Sequence, residues 1–71
     1  MTRSNELRQK IKSSGYKYKY LANTLDLSYY ALKRKIDNDN EFTAREIQTL
    51  CKKLNITSLT EKEYIFFAND V

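Results

Sequence analysis

The chain has 71 residues, with no proline, one glycine, one cysteine, no histidine and a formal net charge of +4. A length of that order gives one small domain, here taken as 1–71, and the scarcity of glycine disfavours the positive-φ turns that hairpins need, so an all-α fold is expected. A single cysteine excludes an internal disulfide, a zinc site of the usual ligand types is disfavoured, and no segment reads as a membrane span or signal. The expected setting is the reducing cytoplasm, with no cofactor and no membrane partner.

Caps and apolar spacing place five helices. Ser4 is the expected cap of the first, which carries Leu7 and Ile11 on one face and ends near Ser13–Ser14, with Gly15 as a left-handed C-terminal cap. The second runs from about Lys17 to Leu25, and Tyr18, Leu21, Ala22 and Leu25 follow the i, i+3, i+4, i+7 spacing of a buried stripe. After a break at Asp26–Leu27, Ser28 caps the third helix. Leu27 and Leu32 have the spacing of a hydrophobic staple, and Leu32 and Ile36 form its inner face.

The polar, acidic segment 37–41 reads as a loop. Thr43 caps the fourth helix, with Glu46 completing a capping box and Phe42 and Ile47 a staple. Ile47, Leu50, Cys51 and Leu54 form its apolar stripe, which makes Cys51 a buried, inert thiol, and Lys52 and Lys53 lie on a solvated face near its end. Thr60 repeats the device for a fifth helix, with Glu63 closing the box and Leu59 and Tyr64 as the staple. The run Tyr64–Phe67 is too apolar for one helix to bury against a small core. Either two or three of the run pack inward and the remainder caps the domain, or Tyr64, Phe66 and Phe67 belong to a homodimer or partner interface.

The second and third helices, separated by a short break, have the spacing of a helix-turn-helix. Ala22 permits close approach, and Leu25, Leu27 and Leu32 wedge the corner. The stretch YLANTLDLSYYALKRKI resembles the helix-turn-helix of the phage repressor and Cro superfamily, in the pattern Leu21, Ala22, Leu25, Leu27, Ser28, Leu32. The resemblance extends to most of the chain and is closest to short single-domain regulators of temperate phages of Gram-positive bacteria. These include Cro-like proteins and the modulators of repression encoded beside the repressor gene. The ending EYIFFAND is similar to C-termini of that group. Two positions depart from the pattern. Asp26 stands where glycine is usual, and Lys35 stands where many members place an apolar core residue, a role that passes to Ile36.

The resemblance implies that the N-terminal part of the third helix enters the major groove, with Tyr29, Tyr30, Lys33 and Arg34 facing DNA, and that Lys17 and Tyr18 meet the phosphate backbone. Arg34 has the fork to grip guanine O6 and N7. Lys33 does so less rigidly, or binds phosphate, and Lys17, Lys19 and Lys35 are phosphate contacts. Tyr29 and Tyr30 fit base reading poorly and protein hot spots well; the bland alternative is partial packing against the second helix or the N-terminal arm.

Charge is divided unevenly. Residues 1–36 carry nine cations against two acids, a net of +7, and residues 37–71 a net of −3, which is compatible with a polyanion partner or a merely solvated basic surface. The acidic loop Asp37, Asp39, Glu41 just beyond the third helix would repel phosphate at close range. No nucleophile–base pair, metal-ligand set or glycine-rich phosphate loop points to an enzyme. Two functions stay open. One is a regulator of the lysis–lysogeny switch that opposes the phage repressor by binding double-stranded operator DNA. The other is a modulator that binds the repressor protein directly through the same face.

Overall fold

Backbone N–H groups at a helix start need acceptors, and three of the five helices take theirs from a hydroxyl just before the helix. In the computed structural model, which describes residues 1–68, the helices are α1 (Ser4–Ser14), α2 (Tyr18–Thr24), α3 (Tyr29–Ile36), α4 (Ala44–Lys53) and α5 (Leu59–Phe66). The fold is all-α, with no strand among the described residues. Ser28 Oγ accepts from the Ala31 N–H at 3.0 Å. Thr43 and Glu46 form the complete reciprocal box, with Thr43 N–H donating to Glu46 Oε1 at 2.9 Å and Glu46 N–H to Thr43 Oγ1 at 3.2 Å.

Two expected caps are corrected. α5 starts from Ser58, whose Oγ accepts from the Glu61 N–H at 3.3 Å, so Thr60 lies inside the helix. Ser58 and Glu61 have the same three-residue spacing as Thr60 and Glu63, and the helix that starts there buries Ile65 and Phe66 in the core. Leu59 and Tyr64 are both exposed and form no staple. At α1, Ser4 is the first helical residue and not the cap. Its Oγ donates to the Ile36 carbonyl at 2.5 Å, tying α1 to the end of α3.

The core draws Leu7 and Ile11 from α1, Leu21 and Ala22 from α2, Leu32 and Ile36 from α3, Ile47, Leu50 and Cys51 from α4, and Ile65 and Phe66 from α5. Phe66 is 4 % exposed and meets Phe42 edge to face at 5.7 Å, so it is a core residue and not part of an interface. The aromatic run thus divides. Ile65 and Phe66 face in, and Tyr64 and Phe67 face out.

Low glycine content did not remove left-handed turns. Asp26, Asn38 and Asn55 all have positive φ, near 60–70°, beside Gly15 at 80°. Each follows a helix and closes it in the same way. After α2, Asp26 N–H donates to the Asn23 carbonyl and Leu27 N–H to the Ala22 carbonyl, the double bond of a Schellman motif. After α3, Asn38 N–H and Asp39 N–H reach Lys35 and Arg34, and after α4 Ile56 N–H reaches Cys51. Asn and Asp tolerate this region at lower cost than other side chains, so four helix ends are sharp with only one glycine.

Residues 1–3 form a strap rather than a loose end. Thr2 N–H donates to Asn38 Oδ1 at 2.7 Å, and Asn38 Nδ2 donates to the Thr2 carbonyl at 2.8 Å. Arg3 N–H donates to the Ile65 carbonyl, and Ala68 N–H to that of Met1. The strap joins the loop after α3 to the end of α5. Residues 69–71, which include the last two of the EYIFFAND stretch, lie outside the described residues.

Candidate functional site

The geometry of α3 follows from its two buried residues. Leu32 and Ile36 point inward, which directs Tyr29, Tyr30, Lys33 and Arg34 to solvent. Tyr30 is 78 % exposed and Tyr29 46 %, so neither is taken up by packing. Their rings meet edge to face at 6.0 Å, and the Lys33 ammonium lies 5.9 Å from the Tyr29 ring centre. Lys33, Arg34 and Lys35 all lie in the last turn of α3, where the helix dipole favours cations.

Lys17 and Lys19 are exposed at the start of α2 and share a neighbourhood with Tyr29. Tyr18 is half-buried and packs on the core, so its ring is structural and only its hydroxyl end is left for a phosphate role. Lys35 is a correction. Its Nζ donates to Glu46 Oε1 at 2.6 Å, and the two side chains are only 14 % and 12 % exposed, so its charge is already paired. The side of α3 that carries Lys35 faces the start of α4 and not solvent. Burial pushes the Glu46 carboxyl up, but the hydrogen bonds from Lys35 and Thr43 and the Lys35 charge outweigh it and hold the group below its ordinary value.

Between α2 and α3 lies an open groove of about 810 Å³. Buried Ala22 and half-buried Leu27 form its floor, Tyr20 and Tyr29 line its sides, and Lys17, Lys19 and Asn23 line its edge. Ala22 serves twice, as the small residue at the α2–α3 corner and as the bottom of the groove.

Tyr16, Tyr20 and Lys53 form a cluster that sequence reasoning missed. The two rings stack at 5.1 Å with planes 22° apart, and Lys53 Nζ donates to Tyr20 Oη at 2.9 Å while lying over both rings. The hydrogen bond and the charge of Lys53 lower the Tyr20 pKa, and the same contact raises that of Lys53. Lys53 is therefore not a freely solvated charge. Tyr16 precedes α2, so helical spacing does not connect it to Tyr20, and Lys53 comes from a distant helix.

Three ion pairs redraw the charge map: Arg8–Asp37, Lys10–Glu61 and Lys35–Glu46. Each takes a cation from the basic half and an acid from the acidic half. Arg3 lies over the Tyr64 ring at 4.2 Å and donates Nε–H to the Tyr64 carbonyl at 2.8 Å, so Tyr64 is covered on one side by its own chain. Of the other cations in residues 1–36, Lys12, Lys17, Lys19, Lys33 and Arg34 keep no acidic partner among the described residues.

Among the described residues no cluster of His, Cys, Asp and Glu could hold a metal ion, and no helix is long and apolar enough to cross a membrane. No family model, curated protein or solved structure matches the chain.

Proposed function

We propose that this protein is a small helix-turn-helix transcriptional regulator of a temperate phage, acting in the lysis–lysogeny switch against the phage repressor, with α3 as the reading helix on operator DNA. The observation that carries this is the outer face of α3, where Tyr29, Tyr30, Lys33 and Arg34 point to solvent beside Lys17 and Lys19. Arg34 is the base reader, by bidentate contact to guanine, and Lys17, Lys19 and Lys33 bind phosphate. Lys35 is left out of that set because Glu46 holds it.

Fluorescence anisotropy on a duplex from the gene's own promoter region, against a scrambled duplex at two salt concentrations, tests the reading. Binding that falls steeply as salt rises, with a preference for the promoter duplex that is lost in Arg34→Ala, is the expected result. Equal, weak binding to both duplexes overturns it.

A second reading is favoured by one observation, the apolar groove between two tyrosines at the edge of the same face. Here the face meets the repressor protein itself, and Tyr29 and Tyr30 supply the contact area. A stoichiometric complex with the repressor that Tyr30→Ala abolishes, together with weak DNA binding alone, is its signature.

A further inference from the structure

The α2–α3 groove has a chemistry of its own. Its floor is apolar, Ala22 and Leu27, and Tyr20 and Tyr29 line its sides. Its edge carries Lys17 and Lys19, which have no acidic partner among the described residues, and no carboxylate lines it. At about 810 Å³ the groove is open to solvent, a surface for a docked side chain and not an enclosed cavity.

Both sides are held in place before anything binds. Tyr20 is fixed from behind by the Tyr16 stack and by the hydrogen bond from Lys53, and Tyr29 is braced by Tyr30 and Lys33. A preorganised aromatic slot loses little entropy on binding.

We infer that this groove is a docking site for an acidic segment of a partner protein, one that inserts a large apolar side chain between Tyr20 and Tyr29 while its carboxylates meet Lys17 and Lys19. The inference rests on the second reading above and names the partner chemistry it requires. Charge complementarity selects an acidic occupant, and the floor selects an apolar one. A DNA backbone satisfies the first demand only, since phosphates along the lysine edge would leave Ala22 and Leu27 uncovered. Lys53 is then a positioning residue: it touches the wall and not the occupant.

The test uses the full chain and three fluorescein-labelled peptides read by anisotropy. One has a central Leu-Phe pair flanked by Asp and Glu, the second has Ala-Ala at the centre, and the third has Lys in place of the acids. The first is expected to bind about tenfold or more tighter than the second, as burial of one large side chain implies, and the third not at all. Lys19→Glu should abolish binding, and Tyr20→Phe and Lys53→Met should weaken it severalfold with the helical circular dichroism signal unchanged. Amide resonances of Asn23 and Leu27 should shift with the first peptide. Equal binding of the first two peptides would reduce the site to charge alone and overturn the inference. Absence of peptide binding, in a chain whose repressor complex still needs Tyr30 and Arg34, would overturn it and leave the second reading intact. A repressor complex that cannot be formed at all, with peptide selectivity intact, would instead remove that reading.

Discussion

Replacing Lys35 by Met distinguishes an ammonium held inside the fold from one offered to a partner. The substitution keeps the aliphatic stem and deletes the charge, leaving Glu46 12 % exposed with the Thr43 N–H as its remaining donor. Exposed ion pairs contribute about 0–1 kcal/mol, and removing one partner of a fully buried pair costs about 3–5 kcal/mol. A mostly buried contact of 2.6 Å falls between these limits, so a cost of about 2 kcal/mol is expected. A domain of this size has a total stability of about 4–10 kcal/mol, and the corresponding drop in Tm is roughly 8–16 °C in a circular dichroism melt at neutral pH. Acid supplies an independent check. The Glu46 carboxyl has a folded pKa below its ordinary 4.5, and a group of that kind stabilises the fold above its unfolded pKa. The contribution is lost as pH falls through the folded value. The advantage of the native chain over Lys35→Met should therefore shrink once pH drops below about 4.5, and the two melting curves should converge on further acidification. A Tm difference under about 2 °C at neutral pH, or one that acid leaves unchanged, would refute the pairing and return Lys35 to the phosphate-binding set.

Phe66→Ala should cost about 3–5 kcal/mol in urea unfolding, as deletion of a buried ring does, whereas Phe67→Ala should cost under about 1 kcal/mol because Phe67 is 55 % exposed; similar costs at both positions would mean that α5 docks in another register. Asn38→Gly keeps the positive φ and deletes the side-chain bonds to the Thr2 backbone, so it should cost about 1–3 kcal/mol and release hydrogen exchange at Thr2 and Ala68 while the core amides stay protected. Asp26→Gly relieves a left-handed residue at φ 58° and should stabilise the fold by up to about 1 kcal/mol, with Asp26→Val destabilising it. Cys51 is buried, and burial pushes its thiol pKa up, so a thiol reagent should modify it only at the rate of global unfolding; rapid labelling of the native chain would contradict the packing of α4.

The helices were legible wherever one signal was enough. The capping box at Thr43 and Glu46, the Ser28 cap and the Gly15 stop each depend on residues within one turn of each other, and each formed as expected. Misreadings fell where two local solutions competed or where a distant residue decided. Ser58 and Thr60 offer equivalent starts for α5, and only the burial of Ile65 and Phe66 against the rest of the molecule chooses between them. Ser4 Oγ donates to the Ile36 carbonyl, thirty-two residues away, where a cap would accept from an N–H of its own helix. The Asn38 clamp on Thr2 and the hydrogen bond from Lys53 to Tyr20 span still more or similar distances along the chain. Periodicity carries no information about such pairs.

The candidate face shows the same division in electrostatic form. That Tyr29, Tyr30, Lys33 and Arg34 leave the core follows from Leu32 and Ile36 alone, so this part of the site was readable. The +7 excess of residues 1–36 was not, because net charge does not say which cations the fold consumes. Three of them meet acids from the other half of the chain, and Arg3 lies on Tyr64. The five left without acidic partners fall between Lys12 and Arg34, and four of these belong to α2, its cap or α3. The acidic loop changes in the opposite sense, since Arg8 pairs with Asp37 and leaves Asp39 and Glu41 as the charges a phosphate would meet there. Screening at physiological salt acts over about 8 Å, so a partner on the α2–α3 face responds to this local cluster and not to the chain's total of +4. The salt dependence of any complex formed on that face should therefore be set by Lys17, Lys19, Lys33 and Arg34. Neutralising Lys10 or Lys35, which changes net charge equally, should leave it in place.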